Sequence, residues 1–122
     1  MKTFDQFLSE AIKYGENRCT AVTCNAISSH HEVPEAKLGP EHNIKNGQSV
    51  VNHLRKHGMK VHGLGIEHIG KTVKQFVNEH PTGAHYIMTR GHAMAVINGK
   101  LHDAANRGPD GRKIQGSWEV TK

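Results

Sequence analysis

The sequence of 122 residues predicts an α+β fold, in which N-terminal helices pack on one face of a C-terminal antiparallel β-sheet. Two observations carry this prediction. Apolar residues recur at helical spacing in the earlier part of the chain, whereas the last third holds short strand candidates separated by Gly, Asn and Pro. The length suits one domain over residues 1–122 with a single hydrophobic core.

Helical spacing predicts four helices. The first, "TFDQFLSEAIKYG", has Thr3 as N-cap and stops at Gly15. The second begins near Asn17 in "NRCTAVTCNAIS" and is partly apolar on every face, which indicates burial on more than one side. The third is "QSVVNHLRKHG". The fourth is "TVKQFVNEHPTG", in which Thr72 as N-cap and Gln75 three residues later form a capping box.

A long connection separates the second and third helices. It reads "HEVPEAKLGPEHNIKNG", with two prolines, two glycines and no clear apolar period. We therefore expect a surface segment without core residues. After the third helix, "MKVHGLG" is a short strand candidate, and "AHYIMTR", "HAMAVI", "KLHDAA" and "KIQGSWEV" supply the sheet of the last third.

The strands on either side of Asn98 and Gly99 form a predicted β-hairpin. An Asn-Gly pair favours a two-residue type I′ turn, because both positions need positive φ. Counting outward from this turn puts His92 and Asp103 on the same face of the hairpin as diagonal neighbours. His102 points to the opposite face. A carboxylate on an otherwise apolar face is costly unless it is paired, so the sequence predicts a His92–Asp103 pair.

Composition narrows the classes of function. The net charge is +5, but Lys and Arg are scattered and aromatic residues make up 5% of the chain, so a nucleic-acid surface is not predicted. No apolar run approaches the roughly 18 residues of a membrane span. The N-terminus lacks the apolar core of a secretory signal, and we expect a cytoplasmic protein. Cys19 and Cys24 lie five apart on one predicted helix and point to different faces, which predicts reduced thiols.

A His-Asp pair can perform hydrolytic chemistry when a nucleophile reaches the other imidazole nitrogen. A thiol needs the least activation, and unpaired amides at a helix N-terminus favour its thiolate form. Cys19 stands at such a predicted terminus. Cys24 lies about one and a half turns further along, where a small buried hydrophobe is the expected role.

These segments resemble a known family. "NRCTAVTCNAIS" resembles the cysteine helix of papain-like cysteine peptidase folds, and "TRGHAMAVINGKLHDA" with "GSWEV" is similar to their histidine strand, partner strand and closing strand. The resemblance extends to small phage and bacterial proteins with a papain-like or bacteriocin-processing-peptidase-like core. It implies a single papain-like domain that is a thiol hydrolase or transferase, with a protein or peptide substrate and no cofactor or metal.

By this resemblance, Cys19 is the nucleophile, His92 the general base and Asp103 the orienting acid. Two positions depart from the family pattern: Lys13 stands six residues before the nucleophile, where an oxyanion-hole Gln is usual, and Arg18 replaces an acid. The backbone amide of Cys19 together with Asn17 is the expected oxyanion donor instead. The same fold also includes inactive members, so a catalytically silent binding or inhibitor module, phage-encoded and directed at a host protein, is the alternative.

Two further motifs compete with this interpretation. The eleven histidines include His53 and His57 at i and i+4, a spacing that can bind one metal ion. "GIEHIGKT" matches the spacing of a phosphate-binding loop, with Lys71 and Thr72 in the key positions. A nucleotide-binding fold of that class requires a parallel sheet, which the remaining chain is too short to build.

Overall fold

The computed structural model describes residues 18–38, 47–90, 92–103 and 110–122. The predicted first helix lies outside these residues. The described α-helices are α1 (Arg18–His30), α2 (Gly47–Lys56) and α3 (Val73–Glu79), with a short 3-10 helix at Pro34–Ala36. The strands are β1 (Lys60–Gly63), β2 (Ala84–Thr89), β3 (His92–Ile97), β4 (Lys100–His102) and β5 (Gly116–Thr121).

The five strands form one antiparallel sheet in the order β1-β5-β2-β3-β4. This sheet with its helices confirms the predicted α+β class. None of the helices in the described part of the chain is long and apolar enough to cross a membrane.

The sheet carries a hydrophobic core on each face, which corrects the expectation of helices on one face. The first core joins α1, α2 and one face of the sheet, where Ala93 and Ala95 let α1 approach β3 closely. The second core joins α3 to the other face, with Phe76, Met94 and Val96 among its fully buried members. Helix α3 follows β1 in the chain, and its apolar stripe needs the second face of the sheet for burial.

The long connection after α1 contributes to the first core, contrary to the sequence prediction. Val33, Ala36 and Leu38 are all buried. Asn25 in α1 fixes this segment, because its Oδ1 accepts a hydrogen bond from the Leu38 backbone N–H at 2.7 Å and its Nδ2 donates to the Leu38 carbonyl oxygen at 3.1 Å. The sequence did not predict this burial, because these apolar residues are isolated and irregularly spaced and therefore show no helical or strand period.

The predicted turns and caps are confirmed where the structure describes them. Asn98 and Gly99 have φ values of 49° and 76°, as a type I′ turn requires. The register of the hairpin matches the prediction, with Val96 opposite Leu101. Helix α3 begins with the complete capping box of Thr72 and Gln75.

Candidate active site

His92 and Asp103 form a hydrogen-bonded pair at the end of the sheet. Nε2 of His92 lies 2.5 Å from Oδ1 of Asp103. The Asp103 side chain is 2% exposed and that of His92 is 22% exposed. A buried carboxylate is costly unless donors compensate it, and the imidazole is one such donor. The predicted pairing of these two side chains is confirmed, while their catalytic role stays a prediction.

Arg112 holds the second oxygen of the same carboxylate. Its Nη2 donates to Oδ2 of Asp103 at 2.7 Å, and its Nε lies 2.8 Å from both carboxylate oxygens of Asp110. These hydrogen bonds hold the pKa of Asp110 below its usual range. Burial by itself lowers the pKa of Arg112, but the hydrogen bonds to Asp110 and Asp103 outweigh burial and raise it. The site is therefore a continuous hydrogen-bonded chain that runs from His92 through Asp103 and Arg112 to Asp110.

Cys19 lies in the first turn of α1 and is partly exposed. The direction of α1 follows from its other end, where Nε2 of His31 lies 2.8 Å from the carbonyl oxygen of Val120. Val120 pairs with the first residue of β2, which pairs with Ile97 at the end of β3. From there α1 runs back over about 18 Å to Cys19, and β3 runs back over about 17 Å to His92. Helix α1 packs against β3, the strand that begins with His92.

Cys19 and His92 belong to different layers of the fold. Side chains alternate along a strand, so Ala93 and Ala95 face α1, whereas His92 shares the other face with Met94 and Val96. The predicted thiol packs against the first core. The hydrogen bond of His92 within the described residues goes to Asp103. The structure thus joins the histidine and the acid directly, and it places the thiol on the face of the sheet that α1 covers.

Cys24 occupies the interior of the first core, as predicted. It is fully buried, and this burial raises the pKa of its thiol to about 12. Both cysteines are reduced thiols. Burial, together with the charges that Cys24 and Cys19 would carry, raises the pKa of the Tyr86 phenol in β2. Both thiols therefore lie within electrostatic range of that ring.

The predicted oxyanion donor Asn17 lies outside the described residues. The same holds for Lys13, which occupies the position of the usual oxyanion-hole residue. The backbone N–H of Cys19 is in the first turn of α1.

The structure does not support a metal site on the histidines of the described residues. No group of three or more His, Cys, Asp or Glu side chains in those ranges could hold a metal ion. The rings of His53 and His57 lie 4.7 Å apart on α2, but Nε2 of His53 is 2.7 Å from the Ala36 carbonyl oxygen. His53 therefore links α2 to the long connection.

The phosphate-loop interpretation also fails. Lys71 donates to Oε2 of Glu79 at 2.7 Å, and Thr72 caps a helix of seven residues. The strand before this segment, β1, belongs to an antiparallel sheet, whereas a phosphate loop joins a parallel strand to a long helix. The residues Gly70, Lys71 and Thr72 form a turn and a helix cap.

Comparisons of the chain with protein-family models, with curated proteins and with solved structures gave no match. The fold is α+β, and its candidate site is the buried Asp103 carboxylate, which is bonded to His92 through one oxygen and to Arg112 through the other.

Arg112 and Asp110 are the residues of this site that the sequence analysis missed. Their two-residue spacing lets the Arg112 backbone N–H donate to Oδ1 of Asp110 at 3.0 Å, which is a common local turn. Such a turn occurs in many loops and carries no functional signal by itself. The contact of Arg112 with Asp103 depends on tertiary structure.

Proposed function

We propose that this protein is a small papain-like thiol hydrolase or transferase that acts on a peptide, isopeptide or side-chain amide through Cys19, His92 and Asp103. The observation that carries the proposal is the 2.5 Å contact between Nε2 of His92 and the buried Asp103 carboxylate. An imidazole oriented through Nε2 has Nδ1 to exchange a proton with a nucleophile.

The reaction would follow the usual order for a thiol nucleophile. Nδ1 of His92 accepts the proton of Cys19, and the thiolate attacks the carbonyl carbon of the amide. The C–N bond then breaks as the imidazolium returns this proton to the leaving amine. Water hydrolyses the resulting thioester, or an acceptor amine takes the acyl group in a transferase. Asp103 stabilises the imidazolium throughout.

The position of Cys19 supports its assignment as the nucleophile. It stands in the first turn of a helix of 13 residues. It is also the more exposed of the two cysteines. Helix α1 also packs against β3, the strand that begins with His92.

A catalytically silent binding or inhibitor module, aimed at a host protein if phage-encoded, is the second candidate. The observation that favours it is the alternation along β3, which directs His92 to the face opposite α1. In a silent module the His92–Asp103 pair would stabilise the end of the hairpin, and Cys19 would react as an ordinary thiol.

Alkylation by iodoacetamide separates the two candidates. The rate at pH 6 is measured by mass spectrometry for Cys19 and Cys24, in the wild type, in His92→Ala and in His102→Ala. His102 is a matched control, because it neighbours Asp103 in sequence but lies on an exposed position of β4. The hydrolase predicts rapid alkylation of Cys19 that is lost in His92→Ala and kept in His102→Ala.

A Cys19 thiol that reacts slowly in the wild type, or at the same rate in all three proteins, would refute the triad and favour the binding module. If the reactivity depends on His92, the next step is a screen of peptide and isopeptide substrates with Cys19→Ser as the inactive control. Both outcomes are read from a folded protein, since circular dichroism of each variant is recorded in parallel.

A further inference from the structure

The backbone that carries Arg112 is bound to the start of α3. The Val73 N–H donates to the Arg112 carbonyl oxygen at 2.9 Å, and the Lys74 N–H donates to the Asp110 carbonyl oxygen at 3.0 Å. Ile114 continues this attachment, since its backbone exchanges two hydrogen bonds with residues 70 and 71 and its side chain is fully buried. The segment 110–114 is thus a fixed platform beside the second core.

The guanidinium on this platform has one defined orientation. Asp110 binds Nε with both carboxylate oxygens and also accepts from the Arg112 backbone N–H. These contacts aim Nη2 at Oδ2 of Asp103, and the Arg112 side chain is 17% exposed. A planar guanidinium held at Nε has little freedom to swing its Nη atoms away.

The positive charge of Arg112, 2.7 Å from Asp103, favours the ionised form of the Asp103 carboxylate. Arginine does not lose its proton in proteins, so its contact keeps Asp103 in the ionised form. An ionised carboxylate accepts hydrogen bonds and cannot donate one. Nε2 of His92, 2.5 Å away, must then carry a proton, which leaves the lone pair of the neutral imidazole on Nδ1.

We propose that Arg112, anchored by Asp110, is a positioning residue that fixes Asp103 as an acceptor and thereby holds His92 with its proton on Nε2. Its catalytic consequence, an Nδ1 free to accept a proton from a nucleophile, rests on the proposed function. The position of the proton does not, because it is a property of the resting protein.

The test is NMR spectroscopy of protein labelled with ¹⁵N in histidine, in a Cys19→Ser background that removes the thiol. We expect a downfield proton bonded to Nε2 of His92 that exchanges slowly with water. In Arg112→Gln, exchange of this proton should quicken by about tenfold or more, the effect of losing one charge-assisted hydrogen bond from the network. In Arg112→Lys the exchange rate of this proton should lie between those of the wild type and Arg112→Gln, because lysine keeps the positive charge but cannot hold both carboxylates in the same geometry.

Arg55→Gln is the matched control, since Arg55 donates to the carbonyl oxygen of Val61 at 2.8 Å, in the strand at the sheet edge opposite β4. This variant should leave the His92 resonance unchanged. If Arg112→Gln does not fold, the same exchange rate is measured in Asp110→Asn. This variant keeps Arg112 but weakens the contact of Asp110 with its Nε. An unchanged Nε2 proton in folded Arg112→Gln, or in Asp110→Asn when the first variant is unfolded, would overturn the proposal.

The result is independent of whether the protein is a hydrolase. An Nε2 proton that depends on Arg112 in a protein whose Cys19 reacts slowly would establish the positioning role and reject the hydrolase. The opposite outcome is also possible to observe. If alkylation of Cys19 requires His92 but proceeds at the same rate in Arg112→Gln, and the Nε2 proton is unchanged, the hydrolase is supported and the positioning role of Arg112 is rejected.

Discussion

The imidazole rings of His80 and His85 lie 4.6 Å apart in a T-shaped contact. The ring of His68 is 4.8 Å from that of His80, and Phe76 stacks on His80 at 3.9 Å. Three titratable rings thus share an apolar site between α3 and the second face of the sheet. Burial and the charge of His80 both lower the pKa of His68 and of His85.

Acid should destabilise the protein through this cluster. Burial, and then the charges of His80 and His68, lower the pKa of His85 from 6.5 to about 4. Glu119 lies 3.9 Å from Nε2 of His85 but is 51% exposed, so solvent screens it and burial dominates. Between these pKa values the unfolded chain binds more protons than the folded one, and the free energy of unfolding falls as the pH falls. Urea midpoints at pH 7.5 and 5.0 measure this loss.

Substitution of one ring shows whether His85 is responsible. His85→Gln should lose less stability than the wild type between the two pH values, because its titration has been removed. His62→Gln, which alters an exposed histidine of β1, should show the full wild-type loss. An equal loss in all three proteins would mean that the acid sensitivity originates elsewhere.

The capping box at the start of α3 supports a second prediction. Thr72 Oγ1 accepts from the Gln75 backbone N–H at 3.1 Å, and the Gln75 side chain accepts from the Thr72 backbone N–H at 2.8 Å. Thr72→Ala should lower the free energy of unfolding by about 1 kcal/mol, the usual cost of a lost cap. Thr72→Ser keeps the hydroxyl and should remain close to wild type in urea unfolding, and a loss as large as that of Thr72→Ala would show that the methyl group matters instead.

The elements that the sequence predicts well are those with local signals. The capping box of Thr72, the turn at Asn98 and Gly99 and the two-residue alternation of the hairpin depend on neighbours in the chain. The His92–Asp103 pair follows from the same hairpin register, and so it was predictable. The end of β4 was less predictable. The strand ends at His102, and Asp103 contacts His92 from the residue that follows it.

The features that escaped prediction depend on distant segments. The burial of Leu38 depends on Asn25, and the second core exists because α3 crosses to the other face of the sheet. Arg112 meets Asp103 because the segment 110–114 pairs with residues 70–74. Single residues brought together by tertiary packing leave no period in a sequence.

A side chain at Gly116 should clash with Trp118 and lower the stability of the protein. A Cβ atom at Gly116 would lie 2.9 Å from Cη2 and 3.3 Å from Cζ3 of Trp118. The indole cannot move aside easily, because it stacks on the buried Tyr86 ring at 4.7 Å. Gly116→Ala should therefore cost about 1–3 kcal/mol of stability through overpacking, measured by urea unfolding with the fluorescence of Trp118, the one tryptophan of the chain.

Gly111→Ala is the control for this substitution. A Cβ atom at Gly111 would meet no atom within 4 Å, so its stability should stay within about 0.5 kcal/mol of wild type. Equal effects of the two substitutions would show that lost glycine flexibility, and not the contact with Trp118, controls the result.

Cys24 should be inert to alkylation in the folded protein. Its side chain is 0% exposed and burial raises its pKa from 9.0 to about 12, which lowers the thiolate fraction at pH 7 by about 10³-fold. Iodoacetamide should therefore modify Cys24 in urea and leave it intact in native buffer, as followed by mass spectrometry of the peptide that contains it. Modification in native buffer at the rate of the unfolded chain would show that α1 opens readily from the sheet. Because Cys24 and Cys19 share this helix, such opening would also expose the proposed nucleophile, and the rate at Cys24 sets the baseline against which a reactive Cys19 is recognised.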